Sequence, residues 1–242
     1  MEDLVLNIYN FSAFILRCII VYYLISTVKH TKFKPLYFLA AHIFLEGIYN
    51  IILIIYRVYT LYASLEIVLV LDFIITVIFI KMAFYEERKG PFYPILIFVI
   101  TSSIIMLALL IPFPENALYI RIITYINVVI IGIWLFLVSL SAYKEIGDIE
   151  KIEPWIKARY KLVMIYSIFW VMGSILFFIN ALLSSNTIVT FALMVVYIVL
   201  PITEFLAWIM PRKLKNWLNR NFSYTDESLE LSEDEIMNDF RG

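Results

Sequence analysis

The feature that most constrains this chain is a succession of long apolar runs separated by short polar connectors. A helix needs about 20 mostly apolar residues to cross the roughly 30 Å hydrocarbon core of a bilayer. Seven runs of this length follow one another, at about 4–28, 35–57, 60–83, 93–112, 117–142, 158–183 and 188–210. They predict an all-α integral membrane protein in which residues 1–210 form a seven-helix transmembrane bundle within the lipid bilayer.

The composition excludes several other classes of protein. Apolar residues make up 63% of the chain and charged residues only 16%, against about 45–50% and 25% in soluble domains. Such a chain cannot cover itself with a water-compatible surface, so a soluble enzyme is excluded. The net charge of -1 gives no basis for nucleic-acid binding. The single Cys18 lies inside the first run and cannot form an intramolecular disulfide or a cysteine-based metal cluster.

The distribution of basic residues predicts the orientation of the bundle. All but three of the 19 Lys and Arg residues fall on one side of the seven runs. The exceptions are Arg57 and Arg121 on the other side and Arg17 within the first run. Because cytoplasmic loops carry the excess of Lys and Arg, we expect a multi-pass protein of the cell membrane with its amino terminus outside and its carboxyl terminus in the cytoplasm.

Three ionisable residues lie near the middle of the first three runs. Arg17, Glu46 and Asp72 each fall within about two residues of a run's midpoint. A charge at this depth is costly and needs a partner. The sequence therefore predicts that Arg17 is held by Glu46 or Asp72. The pair would either fix the packing of three helices or serve as a switch or ligand anchor.

The second run carries a polar stripe at helical spacing. His42, Glu46 and Asn50 are four residues apart and share one helix face, which we expect to point into the bundle. The stripe could serve polar packing, ligand binding, proton relay or metal binding. Because His30 in a connector is the only other histidine, a three-histidine zinc site cannot be built. We therefore predict no metal and no cofactor.

The seventh run combines a proline with a carboxylate. Pro201 lacks an N–H and is expected to kink the helix. Glu204 would then emerge about 7 Å to the cytoplasmic side of the midplane at 1.5 Å per residue. This pair is either a moving part or part of a bent helix.

Aromatic and charged residues gather near the predicted outer end. Glu66 lies about 9 Å inside the third run, while Arg57 and Arg121 mark the outer ends of the second and fifth runs. Interfacial tyrosines accompany them: Tyr56, Tyr59, Tyr62, Tyr119 and Tyr125. We expect an aromatic outer vestibule, either as a ligand pocket or as ordinary interfacial anchoring.

The sequence offers no arrangement for catalysis. The seventh run contains no lysine for a retinal Schiff base, serines lack a histidine at their depth, and no glycine-rich loop could cradle a phosphate. We therefore predict no catalytic residues and no enzyme.

Residues 211–222 have the pattern of a short amphipathic basic helix. Leu214, Trp217, Leu218 and Phe222 recur at helical spacing among four basic residues. This favours an eighth helix lying in the interface against anionic lipid headgroups. The alternative is a plain basic cluster that stops membrane insertion.

Residues 223–242 form an acidic cytoplasmic tail with seven Asp and Glu residues. Ser232 and Glu235 have the spacing of a capping box. Ile236, Met237 and Phe240 would then share one face of a nascent helix. We expect a docking peptide for a protein partner, the alternative being a tail that only adds solubility.

The layout resembles seven-helix receptor-type membrane proteins, although the Asp-Arg-Tyr and Asn-Pro-x-x-Tyr motifs of the G-protein-coupled class are absent. Residues 79–92 (FIKMAFYEERKGPF) and 209–220 (IMPRKLKNWLNR) resemble segments of uncharacterised archaeal seven-helix sensor-like proteins. The resemblance implies a receptor role and assigns no ligand.

These observations favour a non-enzymatic sensor or receptor that signals in trans, because no connector is long enough to hold an output domain. The rival is a small transporter or an ion or proton pathway that uses the intramembrane charges. No internal repeat supports the rival. A structural subunit of a membrane complex is the third alternative.

Overall fold

The computed structural model describes residues 2–56, 62–84, 90–110, 117–147, 152–183, 187–220 and 222. All regular secondary structure within these ranges is helical. The elements are α1 (Glu2–Thr31), α2 (Pro35–Tyr56), α3 (Tyr62–Phe84), α4 (Phe92–Leu110), α5 (Ala117–Gly147), α6 (Pro154–Leu182), α7 (Thr187–Trp208) and α8 (Arg212–Leu218).

Seven helices in the described part of the chain, α1 to α7, are long and apolar enough to cross a membrane, with mean hydropathy between 1.9 and 2.6. This confirms the predicted fold class of an all-α multi-pass membrane protein. Apolar side chains also cover the outside of the bundle, and α4 exposes Tyr93, Ile97 and Ile104. Helices that are apolar all round are suited to lipid contact. The side of the membrane on which each terminus lies stays a prediction from the basic residues.

α5 and α6 extend further toward each other than the apolar runs predicted. The fifth run was expected to end near 142 and the sixth to begin near 158, whereas α5 continues to Gly147 and α6 begins at Pro154. Proline is tolerated in the first turn of a helix, where its missing N–H is not needed. Ile146 and Trp155 are buried, so the added turns pack against protein and are not merely helical extensions into solvent.

The seven long helices pack mainly in chain order, and α1 also packs against α7, which closes the ring. α3 additionally contacts α5. We call the end at which α1, α3, α5 and α7 begin the N-terminal end, and the opposite end the α8 end. The main apolar core lies toward the α8 end, where Leu24, Leu39 and Ile80 are almost fully buried.

The closest helix contact lies between α5 and α6. A Cβ added at Gly132 would stand 2.6 Å from Val171 Cγ2, a separation that ordinary side chains do not tolerate. Glycine is therefore needed here so that the two backbones can approach.

α8 follows α7 after a sharp change of direction at Met210, a buried residue with a φ of 36°. Leu214 and Leu218 pack against a small core at the start of α6, whereas Trp217 is 56% exposed. The predicted eighth helix is therefore present, and part of its apolar face is used against the bundle.

Candidate functional site

Five ionisable side chains from four helices meet inside the bundle. We call Arg17 of α1, His42 and Glu46 of α2, Asp72 of α3 and Glu204 of α7 the central cluster. Arg17, His42, Asp72 and Glu204 are buried, and Glu46 keeps 12% of its side chain exposed.

Arg17 holds two carboxylates at once. Its Nε and Nη2 lie 3.1 and 2.8 Å from Oε2 of Glu46, and Nη2 also lies 3.4 Å from Oε2 of Glu204. The same guanidinium thus joins α1 to α2 and to α7. Since helix contacts inside a membrane gain little from burying apolar surface, such polar links carry much of the specificity of packing.

His42 and Asp72 form a second pair, between α2 and α3. Nδ1 of His42 lies 2.7 Å from Oδ1 of Asp72 and 2.8 Å from Oγ1 of Thr76. The Thr76 hydroxyl donates to the Asp72 backbone carbonyl at 2.7 Å. With the threonine proton committed there, Nδ1 carries a proton and donates it toward the carboxylate. Nε2 then faces the Tyr166 hydroxyl at 3.5 Å.

The structure selects one of the two predicted partners of Arg17 and adds a carboxylate that was expected at another depth. Glu46 alone of the two candidate carboxylates pairs with Arg17, because Asp72 is engaged by His42. Glu204 belongs to the central cluster although counting residues placed it about 7 Å away in depth. The long arginine side chain covers that difference. α7 remains helical across Pro201.

The central cluster contains more carboxylates than cations. Glu46, Asp72 and Glu204 face one permanent cation, Arg17, and the titratable His42. Glu204 is 0% exposed, and neither of its oxygens accepts a hydrogen bond from a residue that the structure describes. A buried carboxylate without donors is costly, so this end of the cluster favours a bound proton or another positive charge.

The third residue of the α2 stripe has a different role. The Asn50 side-chain amide donates to the backbone carbonyl of Glu46 at 2.8 Å. It therefore stays on its own helix and does not bridge to another, while its side chain lines the cavity described next.

A cavity of about 160 Å³ extends from the central cluster toward the N-terminal end. Arg17, Glu46 and Asp72 contribute to its lining at the cluster. Aromatic side chains supply much of the remaining wall: Tyr9, Tyr49, Tyr125, Trp170, Phe177 and Tyr197. We call this space the aromatic cavity. A cavity of similar size, about 150 Å³, binds benzene when its walls are apolar.

The aromatic walls are themselves packed together. The rings of Tyr9 and Tyr197 lie 5.2 Å apart, and those of Phe177 and Tyr197 5.5 Å. Tyr125 stacks on Phe177 at 6.4 Å. These separations are typical of favourable aromatic pairs, so α1, α5, α6 and α7 together form a continuous aromatic wall.

The predicted outer vestibule is described only in part. Glu66 accepts a hydrogen bond from Thr124 at 3.3 Å, and Tyr125 lines the aromatic cavity. The remaining members of the predicted vestibule lie outside the residues, or outside the side chains, that the structure describes: Tyr56, Arg57, Tyr59, Tyr62, Tyr119 and Arg121.

A second polar group joins α6 to α8 at the opposite end. Glu153 Oε2 accepts from the Trp155 indole and from the Asn219 amide. The Trp155 backbone N–H donates to Asn219 Oδ1 at 3.3 Å. Lys215 Nζ lies 3.9 Å from the centre of the Trp155 ring. Burial, with a smaller effect from the Arg159 charge, lowers the pKa of Lys215 to about 8.

The predicted partner-docking residues Ile236, Met237 and Phe240 lie outside the described residues.

Among the described residues, one group of side chains approaches the geometry that a metal ion requires. Ligand atoms of His42, Glu46 and Asp72 lie within 4.8 Å of one another. The prediction of no metal rested on the number of histidines and did not consider a mixed set of one imidazole and two carboxylates.

Several residues of the site were not anticipated from sequence. Five aromatic residues of the site were not singled out, because single aromatic residues are common in apolar runs: Tyr9, Tyr49, Tyr166, Trp170 and Tyr197. The one available signal was repeated Tyr and Trp well inside apolar runs, where an O–H or N–H needs a partner.

Comparison with protein-family models, with curated proteins and with solved structures yields no match.

Proposed function

We propose that this multi-pass membrane protein is a non-enzymatic receptor or sensor of the cell membrane, in which a small ligand enters the aromatic cavity from outside and alters the central cluster. The observation that carries the proposal is the position of the aromatic cavity. It ends on the ion pair between Arg17 and Glu46, so an occupant would act directly on contacts between helices.

The central cluster is suited to convert occupancy into helix movement. Arg17 links α1 to α2 and α7, while His42 and Asp72 link α2 to α3. A ligand that competes for one of these groups changes the pairing of the others, because a single guanidinium serves both Glu46 and Glu204. Differential contacts of this kind are what a ligand needs to shift a conformational equilibrium.

The packing of the other half favours a receptor over a pathway. Toward the α8 end the bundle is filled by apolar side chains, among them Ile20, Leu24 and Ile80. A channel would need polar groups or space on both sides of the central cluster. The aromatic cavity lies on the side of the N-terminal end.

The output is proposed to act in trans through the acidic tail. Residues 223–242 combine acidic charge with an apolar face of Ile236, Met237 and Phe240. α8 precedes that tail in the chain, and Asn219 at its end is hydrogen-bonded to Glu153 and Trp155 at the start of α6. Movement of α6 against the aromatic cavity would therefore be passed to α8 and the tail.

The test combines photocrosslinking with a flux measurement. A photoreactive phenylalanine analogue at Phe240, introduced in source cells, should crosslink one defined partner. Ser174→Phe fills the aromatic cavity, since Ser174 lines it and is 8% exposed, and should change the crosslinking yield. Ile175→Phe is the matched control, because Ile175 is the next residue and is 44% exposed.

Proteoliposomes containing a pH dye supply the second arm. A receptor should give no proton flux above that of protein-free vesicles under an imposed gradient. A flux that Ser174→Phe blocks and Ile175→Phe spares would overturn the receptor proposal in favour of a transporter or proton pathway. Crosslinking that is identical in both variants would also contradict it.

A further inference from the structure

Two carboxylate oxygens beside the aromatic cavity lack a donor. Glu46 uses Oε2 for both bonds from Arg17, and Asp72 uses Oδ1 for His42. Within the described residues, the second oxygen of each, Oε1 and Oδ2, accepts no hydrogen bond. Both residues line the aromatic cavity, so these oxygens are available to an occupant.

The charge of the central cluster also points to a positive occupant. With Arg17 and His42 both charged and all three carboxylates ionised, one negative charge is left in excess, which either a bound proton or a positive occupant can neutralise. Charges in a low-dielectric interior are stable only when they are compensated and hydrogen-bonded. Glu204 is fully buried and accepts no hydrogen bond within the described residues, so it adds negative charge beside Arg17 although it does not itself line the aromatic cavity.

The walls of the aromatic cavity select among positive ions. Apart from the central cluster they are mainly aromatic and aliphatic, with Trp170, Tyr197 and Phe177 facing the same space. A metal ion would need water or polar ligands on this side to complete its shell. An ammonium group, in contrast, is attracted by aromatic faces and by carboxylates together.

The volume of the cavity indicates the size of group that it can accommodate. A space of about 160 Å³ is close to the roughly 150 Å³ that accommodates benzene. A ligand with one ring or a short chain, plus one ammonium group, fits this space.

We infer that the aromatic cavity binds a small organic ammonium ion, whose charged group is held by Glu46 Oε1 and Asp72 Oδ2 and whose apolar part contacts the aromatic walls. This inference rests on the proposed receptor function, for which it supplies the class of ligand. In this inference, the negative charge of the central cluster serves to recognise the ligand.

Benzylamine, benzyl alcohol and sodium benzoate test the inference as a matched set, since they share a ring and differ in charge. Binding to the purified full-length protein in detergent at pH 7 is measured by saturation-transfer NMR titration and by thermal stability. Benzylamine should bind at least about tenfold more tightly than benzyl alcohol. The reason is that a charge-assisted hydrogen bond contributes more binding free energy than a neutral one, by about the amount that corresponds to a tenfold change in Kd. Benzoate should bind most weakly.

Glu46→Gln should reduce the preference for benzylamine over benzyl alcohol at least about threefold, with the shape of the site retained, because only Asp72 Oδ2 is left to hold the ammonium group. Glu66→Gln is the matched control, because Glu66 is bonded to Thr124 and does not line the cavity. It should keep the preference. If Glu46→Gln does not fold, Asp72→Asn takes its place, since an amide oxygen can still accept from His42.

Equal binding of benzylamine and benzyl alcohol, or a preference that Glu46→Gln leaves unchanged, would overturn the inference. So would stabilisation by ZnCl2 or MnCl2 that Glu46→Gln abolishes, which would assign the site to a metal ion. If benzylamine binds as expected but the crosslink at Phe240 ignores Ser174→Phe, the ligand class stands and the receptor function fails. If the crosslink at Phe240 responds to Ser174→Phe but benzylamine does not bind as expected, the receptor function stands and only the ligand class fails.

Discussion

At the scale of single residues, Arg17 has the largest expected influence on the bundle. Its guanidinium is permanently charged and offers several donors in one plane. Nη2 lies within 3.4 Å of oxygens on two different helices. Removing this one side chain would leave Glu46 and Glu204 beside each other with no permanent cation in the central cluster.

Arg17→Met is therefore expected to destabilise the protein strongly. Leaving one partner of a buried pair uncompensated costs about 3–5 kcal/mol, which should appear as a clear fall in the unfolding temperature in detergent. Arg17→Met combined with Glu46→Gln should recover part of the loss. The matched control is Arg17→Met with Asp72→Asn, which should recover less, since Asp72 is paired with His42. Equal recovery in both would contradict the assigned pairing.

Lys215 should show an unusual response to pH. Its pKa of about 8, lowered mainly by burial, lies well under the value of about 10.4 for a free lysine side chain. Between about pH 8 and pH 10, Lys215 therefore binds fewer protons when α8 is packed against α6 than when α8 is free. The packing of α8 against α6 is strengthened as pH rises through that window.

Pulse acetylation with mass spectrometry at a series of pH values checks this expectation. Half-maximal reactivity of Lys215 should fall near pH 8. Arg159→Leu should move it to higher pH, because the Arg159 charge contributes to the shift. Arg212→Leu, on the exposed side of α8, should leave it in place. A midpoint near that of free lysine would disprove the described burial.

Depth in the membrane could be predicted from sequence, whereas the choice of partner could not. Counting residues along each run predicted that Arg17, Glu46 and Asp72 lie at the same depth and that Glu204 lies about 7 Å from them in depth. Which carboxylate faces Arg17 depends on the rotation of each helix, and runs that are apolar all round carry little information about rotation. The preference of Asp72 for His42 also depends on the opposing face of α2.

At the scale of elements, the contact between α5 and α6 is the most sensitive. Gly132→Ala should lower thermal stability, because the new Cβ would stand 2.6 Å from Val171 Cγ2. Overpacking typically costs about 1–3 kcal/mol, more than the roughly 1 kcal/mol gained in helix propensity. The stiff β-branched Val171 has little freedom to move aside.

Gly47→Ala on α2 is the control for this effect. Its added Cβ would be 3.4 Å from Phe14, an ordinary contact, so the gain in helix propensity should prevail. The two variants should thus change the unfolding temperature in opposite directions. A stabilised Gly132→Ala protein would show that α5 and α6 are not in such close contact.

Helix existence was predictable, and helix ends were less so. The apolar runs identified all of α1 to α7, because 20 uncharged residues admit few alternatives. The start of α6 was missed by four residues, since Lys157 and Arg159 interrupt hydrophobicity there. In the structure Arg159 lies 4.9 Å from the Trp155 ring, a contact that a linear count of charges cannot reveal.

At the scale of the whole molecule, the two halves of the bundle differ. The half near the α8 end is filled by apolar side chains, and the other contains the aromatic cavity, which meets the central cluster. Hydropathy could not predict this difference, because each of the seven helices is apolar over the length of a membrane span. It arises from side-chain volumes at particular positions, with tyrosines surrounding a space that leucines and isoleucines fill elsewhere.

The aromatic cavity can receive a ligand from outside only if the N-terminal end faces outward. Basic residues predict this orientation, with Arg57 and Arg121 alone on the outer side. In a Cys18→Ser background, single cysteines at Asn116 and Asn186 should react with an impermeant thiol reagent added to intact cells. A cysteine at Gly147, on the opposite side, should react only after the membrane is permeabilised, which also proves that it is competent to react. If Gly147→Cys is labelled in intact cells and the cysteines at 116 and 186 are not, the protein has the opposite orientation in the membrane. The ligand would then enter the aromatic cavity from the cytoplasm.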